Sequence, residues 1–354
     1  MGGTGANFIS LVTGDVGFYT KNEQAAVPPA MQIENPNAQA GWNNYYTQDG
    51  YSGGSYVDCS DRKQPGVDNI RSYLDTQKTF NHDNCADGHY YLVNNYGLAY
   101  DAKGNLKPFD PSSANPNTIL PPQTIPTIAD ALSAHGISWK YYSGGRNVDN
   151  STTNEYCGIC DPLTGFSSIM TTGLKNNLQG MDAFNKDIVS EATLPAVSYI
   201  RPFESKAGHP ANATLPEFEG FILDVVNKVK ANPKLWAKTA ILVTVDEGGG
   251  YYDSGYIQPI DFFGDGTRIP LVVVSPWAKK GHISHHYSDH ASILKFIEKN
   301  WELKPLSNRS RDNLPNPIHD HESPNAYAPK NAPAISDLTE LFDFDKDVKG
   351  SKDK

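Results

Sequence analysis

Two acidic residues stand where a strongly apolar segment ends. Asp246 and Glu247 follow residues 239–245, and three glycines, Gly248 to Gly250, come directly after them. Adjacent carboxylates repel each other unless a cation lies between them, so the pair indicates a site for a hard divalent metal ion. The glycines would let the backbone approach a ligand closely, because no Cβ is in the way. The alternative is a solvated turn that happens to be acidic.

A hydroxyl group lies among glycines near the start of the chain. Thr4 stands between Gly3 and Gly5, just before a regular element that includes Phe8. A hydroxyl in such a place suits a nucleophile that a metal ion activates. An ordinary glycine-rich turn is the alternative explanation.

Histidines mark two further loops. His209 lies in a Gly-His-Pro sequence after a predicted strand, where it could donate to a phosphate oxygen or protonate a leaving group. His286 and His290 belong to residues 281–290, which hold four of the ten histidines, and Asp289 stands at a predicted helix start. Asp289 would serve as an N-cap, and helix N-termini also attract anions, so structural and ligand-binding roles both fit this segment.

The cysteine pattern favours structural disulfides. The four cysteines are Cys59, Cys85, Cys157 and Cys160. A structural zinc site would show two Cys-x-x-Cys units, whereas this chain has one, and that one lies among loop residues instead of opening a helix as in thioredoxin-like proteins. Free thiols and a metal or redox site are the alternatives. Disulfides would indicate an exported protein.

The elements that must position these residues alternate along the chain. Helical spacing occurs in residues 66–75, 128–136, 217–231 and 289–301. Segments typical of strands occur at residues 137–142, 195–200, 239–245 and 269–275. The sequence therefore predicts an α/β fold with a doubly wound, mostly parallel sheet and helices on both faces. The last two strand segments are continuously apolar, as in strands that a parallel sheet buries on both faces.

We predict a single domain over residues 1–345. Residues 21–125 are rich in Asn, Gly, Pro, Tyr and Ser, which indicates a long excursion of ordered loops beside the core. Residues 346–354 are rich in Lys and Asp and are predicted to form a frayed polar tail.

Composition and charge restrict the class of protein. The 354 residues are 38% hydrophobic and 20% charged, with a formal net charge of −10, which argues against a nucleic-acid partner. The negative charge does not exclude a small phosphate ester as substrate, because a bound metal ion can make the electrostatic field at its site positive. We expect no integral membrane segment, since no run approaches about 20 apolar residues, and we find no signal of an oligomeric state. No signal peptide opens the chain, so the protein would be cytoplasmic if Met1 is its natural start.

Together these segments resemble the phosphoesterase family that contains bacterial non-specific phospholipases C and acid phosphatases, within the alkaline-phosphatase superfamily. The resemblance extends over nearly the whole chain and is most specific in residues 245–253 and 268–301. Residues 3–14 look like the family's segment that carries its Ser or Thr. Residues 156–160 and 256–259 are most similar to the acid-phosphatase branch.

The resemblance implies an alkaline-phosphatase-like fold and a metal-dependent phosphoric-ester hydrolase, periplasmic or secreted in its full-length form. Thr4 would be the nucleophile and a metal ligand, Asp246 and Glu247 would be metal ligands, and His209 would contact phosphate. Supporting roles in substrate binding would fall to His286, Asp289 and His290. The divalent ion is not identified by the resemblance, and the substrate would be a phosphomonoester or a phospholipid headgroup.

Two departures from the family pattern raise an alternative function. Relatives carry a core strand and a metal-binding Glu-Asn pair upstream of the Ser or Thr segment, which residues 80–83 do not supply, so we expect an N-terminally truncated form. Where relatives often have a histidine, this chain has Asp161 before Pro162. The alternative is a catalytically impaired homologue that binds metal or phosphate without turnover. A sulfatase- or phosphomutase-like relative is a third hypothesis, although no Cys-x-Pro-x-Arg stands at Thr4 to support the sulfatase.

Overall fold

A computed structural model describes residues 3–21, 24–34, 56–64, 66–76, 85–107, 119–251, 261–264, 266–314 and 335–345. The expectations for residues 80–83 and 256–259 and for the tail at 346–354 lie outside these ranges. Within them, no helix combines the length and the apolar character that crossing a membrane requires.

Helices and short strands alternate through this part of the chain. The α-helices are α1 (Thr4–Thr13), α2 (Val67–Leu74), α3 (Ile128–Ala134), α4 (Ser167–Met170), α5 (Met181–Asp187), α6 (Leu215–Ala231), α7 (Pro233–Trp236) and α8 (His290–Asn300). The strands are β1 (Thr20–Lys21), β2 (Gln24–Ala25), β3 (Tyr56–Val57), β4 (Tyr91–Leu92), β5 (Trp139–Ser143), β6 (Leu178–Gly180), β7 (Val197–Arg201), β8 (Ile241–Thr244) and β9 (Leu271–Val274). All four predicted helices are confirmed, with boundaries shifted by a few residues.

A parallel three-stranded sheet forms the centre of the fold. Its order is β6-β5-β7, and Tyr141 of β5 lies opposite Leu178 on one side and Tyr199 on the other. Side chains on the two faces of β5 belong to two different buried clusters. Trp139 and Tyr141 pack with α3 on one face, and Tyr142 packs with α5 and α6 on the other. Helices therefore cover both faces of this sheet, and the α/β class is confirmed. The doubly wound connection of all strands stays a prediction.

The expectation for residues 239–245 and 269–275 was wrong in strand direction and in burial. These segments form β8 and β9, which pair antiparallel, with Val243 opposite Val272. Every residue of β8 is only half-buried, and Val272 is 52% exposed. Apolar content alone does not set direction: antiparallel neighbours need only a returning loop, whereas parallel neighbours need a crossover.

Local capping sets where the principal helices begin. At α3, the Thr127 hydroxyl accepts the N–H of Asp130 at 3.1 Å, and the Asp130 carboxylate accepts the N–H of Thr127 at 2.9 Å. At α6, the Glu217 carboxylate accepts the N–H of Thr214 at 2.8 Å. These reciprocal bonds satisfy N–H groups that a helix start leaves without partners.

Helix α1 packs in the main core against α8. Ile9 and Val12 of α1 and Leu294 and Ile297 of α8 belong to one buried cluster. This packing fixes the start of α1, with Thr4 at its first position, next to the segment that follows β8.

Candidate active site

The acidic pair lies in a tight turn directly after β8. The Asp246 carboxylate accepts the N–H of Glu247 at 3.1 Å. Gly249 and Gly250 have φ of 59° and 78°, a left-handed conformation that side chains with a Cβ adopt only at a cost. A Cβ at Gly248 would lie 2.7 Å from Thr267 Oγ1. The three glycines thus serve the chain reversal that presents both carboxylates.

Thr4 and Glu247 meet although 243 residues separate them in the chain. The Thr4 hydroxyl donates to Glu247 Oε1 at 2.9 Å, and Thr4 is 9% exposed. The Asn7 amide nitrogen lies 3.5 Å from Glu247 Oε2. Since Thr4 and Asn7 are three positions apart on α1, both project from the same helix face. The structure therefore brings together the hydroxyl and one of the two carboxylates that the sequence singled out.

A loop segment closes the other side of the α1 N-terminus. Asn95 Oδ1 accepts the N–H of Gly5 at 2.8 Å. A Cβ at Gly3 would lie 3.0 Å from the Asn94 backbone, and one at Gly5 would lie 3.1 Å from the Tyr96 nitrogen. The glycines beside Thr4 thus permit close approach of this segment. Sequence reasoning missed Asn95, because nothing local connects it with a residue 90 positions away.

His290 and Asp289 support the turn from the start of α8. His290 Nε2 lies 3.1 Å from the carbonyl oxygen of Val245, which can only accept, so Nε2 carries a proton and donates. Burial lowers the pKa of His290, while this bond and the carboxylates of Asp289 and Asp246 act in the opposite direction. The His290 ring thus holds the backbone immediately before the acidic pair.

Asp289 has two structural partners. Its carboxylate accepts the N–H of Ala291 at 2.8 Å as the cap of α8. It also pairs with the buried Arg311 at 2.5 Å, and Arg311 in turn lies 3.4 Å from Asp261. Asp289 therefore acts as the N-cap of α8, the structural role that the sequence indicated. It also forms an ion pair that the sequence did not indicate.

The remaining histidines occupy different surroundings. His286 Nδ1 lies 3.7 Å from Glu340 Oε1, a structural partner. A role for His286 in substrate binding therefore stays a prediction from the family resemblance. His209 is exposed, and its Nδ1 accepts the N–H of Ala211 at 3.2 Å, which leaves the proton of the neutral ring on Nε2. Its neighbour Pro210 packs against the glycine turn, since a Cβ at Gly249 would lie 3.5 Å from Pro210 Cδ. The His209 loop thus adjoins the acidic turn.

The cysteines form two disulfides, as predicted. Cys59 is bonded to Cys85, and Cys157 to Cys160, so no cysteine is free. Asp161, which stands where the family resemblance would imply a histidine, is fully buried and pairs with Arg146 at 2.5 Å. This carboxylate is thus neutralised by an arginine within the fold.

The donor set fits a hard divalent cation. All candidate ligands are oxygens of Thr4, Asp246 and Glu247, the type that Mg²⁺ and Ca²⁺ prefer. Two adjacent ligands of one octahedral ion lie about 3 Å apart, which matches the 2.9 Å between the Thr4 and Glu247 oxygens. Among the described residues, no group of three or more His, Cys, Asp or Glu is placed to hold a metal ion.

Comparison with known proteins identifies relatives of the chain. The model of the phosphoesterase family matches residues 1–304. The hemolytic phospholipase C of Pseudomonas aeruginosa is 28% identical over 264 residues, which cover 62% of this chain and 33% of that protein. The non-hemolytic phospholipase C of Burkholderia pseudomallei is 27% identical over 266 residues, 62% of this chain and 36% of that protein.

A fungal protein is also similar. The probable acid phosphatase of Kluyveromyces lactis is 27% identical over 203 residues, 54% of this chain and 45% of that protein. In each of these three alignments the chain spans less than half of the relative's length.

Proposed function

We propose that this chain, which belongs to the phosphoesterase family, hydrolyses phosphoric esters with the Thr4 hydroxyl as nucleophile. The observation that carries the proposal is the 2.9 Å hydrogen bond from Thr4 to Glu247, which joins the glycine-flanked hydroxyl to the acidic turn. The relatives named as phospholipases C and as an acid phosphatase support this reaction class.

The residues of the chain account for the steps of a double displacement. Thr4 Oγ1 attacks phosphorus, the ester P–O bond breaks, and a phosphothreonine forms while the alcohol leaves. The proton of the hydroxyl has an acceptor in place at Glu247 Oε1. His209 donates a hydrogen bond through Nε2 to the departing or phosphoryl oxygen, and the leaving alkoxide takes up the proton released from Thr4. Water then hydrolyses the phosphothreonine and restores the Thr4 hydroxyl.

Asp246, Glu247 and Thr4 would hold a divalent metal ion beside the reacting hydroxyl. When bound, such an ion lowers the pKa of the hydroxyl and offsets negative charge on the phosphoryl oxygens. Helix α1 adds its N-terminus, which favours anions, directly at Thr4. The N–H of Gly5 already donates to Asn95 Oδ1, so this N–H group in the first turn of α1 is not available to a substrate.

Hydrolysis of p-nitrophenyl phosphate with and without added divalent metal tests the proposal. We expect metal-dependent turnover in the wild type, loss of at least about 1,000-fold in Thr4→Ala, and partial activity in Thr4→Ser, which keeps a hydroxyl. Equal rates in the wild type and Thr4→Ala would remove Thr4 from the mechanism. p-Nitrophenylphosphorylcholine, assayed beside the monoester, distinguishes a phospholipid-headgroup diesterase from a phosphomonoesterase.

The oxygens that meet at Thr4 and Glu247 would also serve a second candidate, a homologue that binds metal or phosphate without turnover. Calorimetric titration with Mg²⁺, Mn²⁺ or Ca²⁺ separates the two candidates. Metal binding that is lost in Glu247→Gln, with no turnover of either ester, would establish the binder in place of the enzyme.

We infer that the protein works in an oxidising compartment, outside the cytoplasm. Both disulfides support this, because cytosolic thiols are generally kept reduced.

A further inference from the structure

The loop that carries His209 is anchored by one residue, Glu155, to the segment that follows β5. The backbone carbonyl of Glu155 accepts the N–H of Glu204 at 3.2 Å. The Glu155 carboxylate accepts the next N–H, that of Ser205, at 2.9 Å. Two consecutive N–H groups of the short turn Glu204–Lys206 thus bond to a residue about 50 positions earlier in the chain.

Glu155 itself is held in place from both sides. Before it, the N–H of Thr153 donates to the carbonyl of Gly145 at 2.9 Å, just beyond the end of β5. After it, the Tyr156 hydroxyl donates to the buried Asp161 carboxylate at 3.0 Å, and the Cys157–Cys160 disulfide closes the turn between these two residues. The residues on both sides of Glu155 are therefore fixed by these contacts, near the carboxyl end of the parallel sheet.

The loop continues from this anchor to the acidic turn. Gly208 adopts a φ of 75°, and a Cβ there would lie 3.2 Å from Phe218, so α6 limits the path of the chain before His209. Pro210 then packs against Gly249. Glu155 is thus linked through residues 204–210 of the chain to the glycine turn that follows Glu247.

The charge on Glu155 strengthens this anchor. Hydrogen bonding from Ser205 lowers the pKa of the Glu155 carboxyl, and the nearby Arg201 and Lys206 act in the same direction. The carboxylate is therefore ionised at neutral pH, where a charge-assisted bond to a backbone N–H is stronger than a neutral one.

We propose that Glu155 is a positioning residue for His209, which it keeps beside the acidic turn by anchoring the loop at Glu204 and Ser205. This inference rests on the proposed function, in which His209 contacts the transferred phosphoryl group. Glu155 touches neither substrate nor metal, so its effect on the reaction must pass through His209.

A double-mutant cycle tests this coupling. We expect Glu155→Ala to lower kcat/KM about tenfold, because small displacements of a catalytic group are costly. In a His209→Ala background, the same change should have almost no further effect, since two residues that act as a unit are not additive. Glu155→Gln keeps an acceptor for Ser205 and should recover most of the activity. Additive losses would overturn the proposal.

Asp130→Ala is the matched control. Asp130 also accepts a backbone N–H through its carboxylate, at Thr127, but it caps α3, which packs on the other face of the parallel sheet from α6. We expect a stability loss and unchanged kcat/KM in Asp130→Ala. An equal loss of kcat/KM in both variants would make the effect of Glu155 merely structural and overturn its positioning role.

Amide exchange gives a readout that does not depend on turnover. In the wild type, the peptide spanning residues 203–209 should exchange slowly, and Glu155→Ala, but not Asp130→Ala, should raise its exchange at least about tenfold. Unchanged exchange would overturn the anchor itself. If the wild type lacked turnover while the exchange behaved as expected, the proposed function would fail and the anchor would stand.

Discussion

At the residue scale, the account depends on the side chains that contact the two carboxylate oxygens of Glu247. One carboxylate oxygen accepts from the Thr4 hydroxyl, and the other lies 3.5 Å from the Asn7 amide. The Asp246 carboxylate accepts a hydrogen bond from the backbone N–H of the next residue, Glu247. Asn7 thus orients the carboxylate without being a candidate ligand, the role that outer hydrogen-bond partners play around metal sites.

We predict that Asn7→Ala weakens metal activation. Removal of the amide takes away a donor that orients the second Glu247 oxygen, so the metal concentration for half-maximal activity should rise about 10- to 100-fold. Activity titrated with Mn²⁺ or Mg²⁺ measures this shift. Asn185→Ala, which removes an exposed amide that contacts Lys228, is the matched control and should not change the titration. Superimposable curves for the wild type and Asn7→Ala would contradict the assigned role.

At the element scale, the sequence predicted helices well and strand pairing poorly. The apolar face of α6 and the Asp289 cap of α8 are local patterns, readable within about 15 residues. The antiparallel pairing of β8 with β9 is set by the path between them, which composition does not encode. Likewise, the hydrogen bond from the N–H of Gly5 to Asn95 depends on the path of a loop, and no periodic sequence pattern encodes that path. The meeting of Thr4 with Glu247 could be expected only through family resemblance.

The start of α8 gives a prediction about stability. Asp289→Ala removes a helix cap and also one partner of the buried Arg311, so the free energy of unfolding should fall by about 3 kcal/mol. Asp289→Asn keeps the cap acceptor but not the charge, and should lose clearly less. Urea denaturation of both variants measures the difference. Identical losses would show that the cap contributes nothing beside the ion pair.

At the scale of the whole molecule, residues 309–312 tie late parts of the chain to the end of α1. Arg309 pairs with Asp15 at 2.6 Å and donates to the Tyr91 hydroxyl at 2.7 Å. The N–H of Arg311 donates to the carbonyl of Gly14 at 2.8 Å. In the same region, Asp312 lies beside Glu298 of α8, and both carboxyl groups are buried.

Burial and the adjacent Asp312 raise the pKa of Glu298 to about 10. Glu298 is therefore protonated in the folded protein at neutral pH, whereas in the unfolded chain its usual pKa is near 4.5. Folding takes up a proton through this group, so its contribution to stability is full below about pH 4.5 and is lost as pH rises toward 10. The slope approaches about 1.4 kcal/mol per pH unit in that window.

We predict that Glu298→Gln flattens this pH dependence, because the amide mimics the protonated acid and has no proton to lose. Thermal unfolding between pH 6 and pH 8 should show a smaller decline of Tm in the variant than in the wild type. Glu302→Gln, an exposed change just beyond α8, serves as the control and should follow the wild type. Parallel declines in all three proteins would contradict a protonated Glu298.

Trapping the covalent intermediate is the most direct test of the central claim, that the Thr4 hydroxyl attacks phosphorus. Turnover of p-nitrophenyl phosphate with metal present would be quenched in acid, and peptides would be examined by mass spectrometry. We predict a phosphoryl group on the peptide that contains Thr4, on serine in Thr4→Ser, and on neither in Thr4→Ala. Turnover by the wild type with phosphorylation at another residue, or undiminished turnover in Thr4→Ala, would contradict the account.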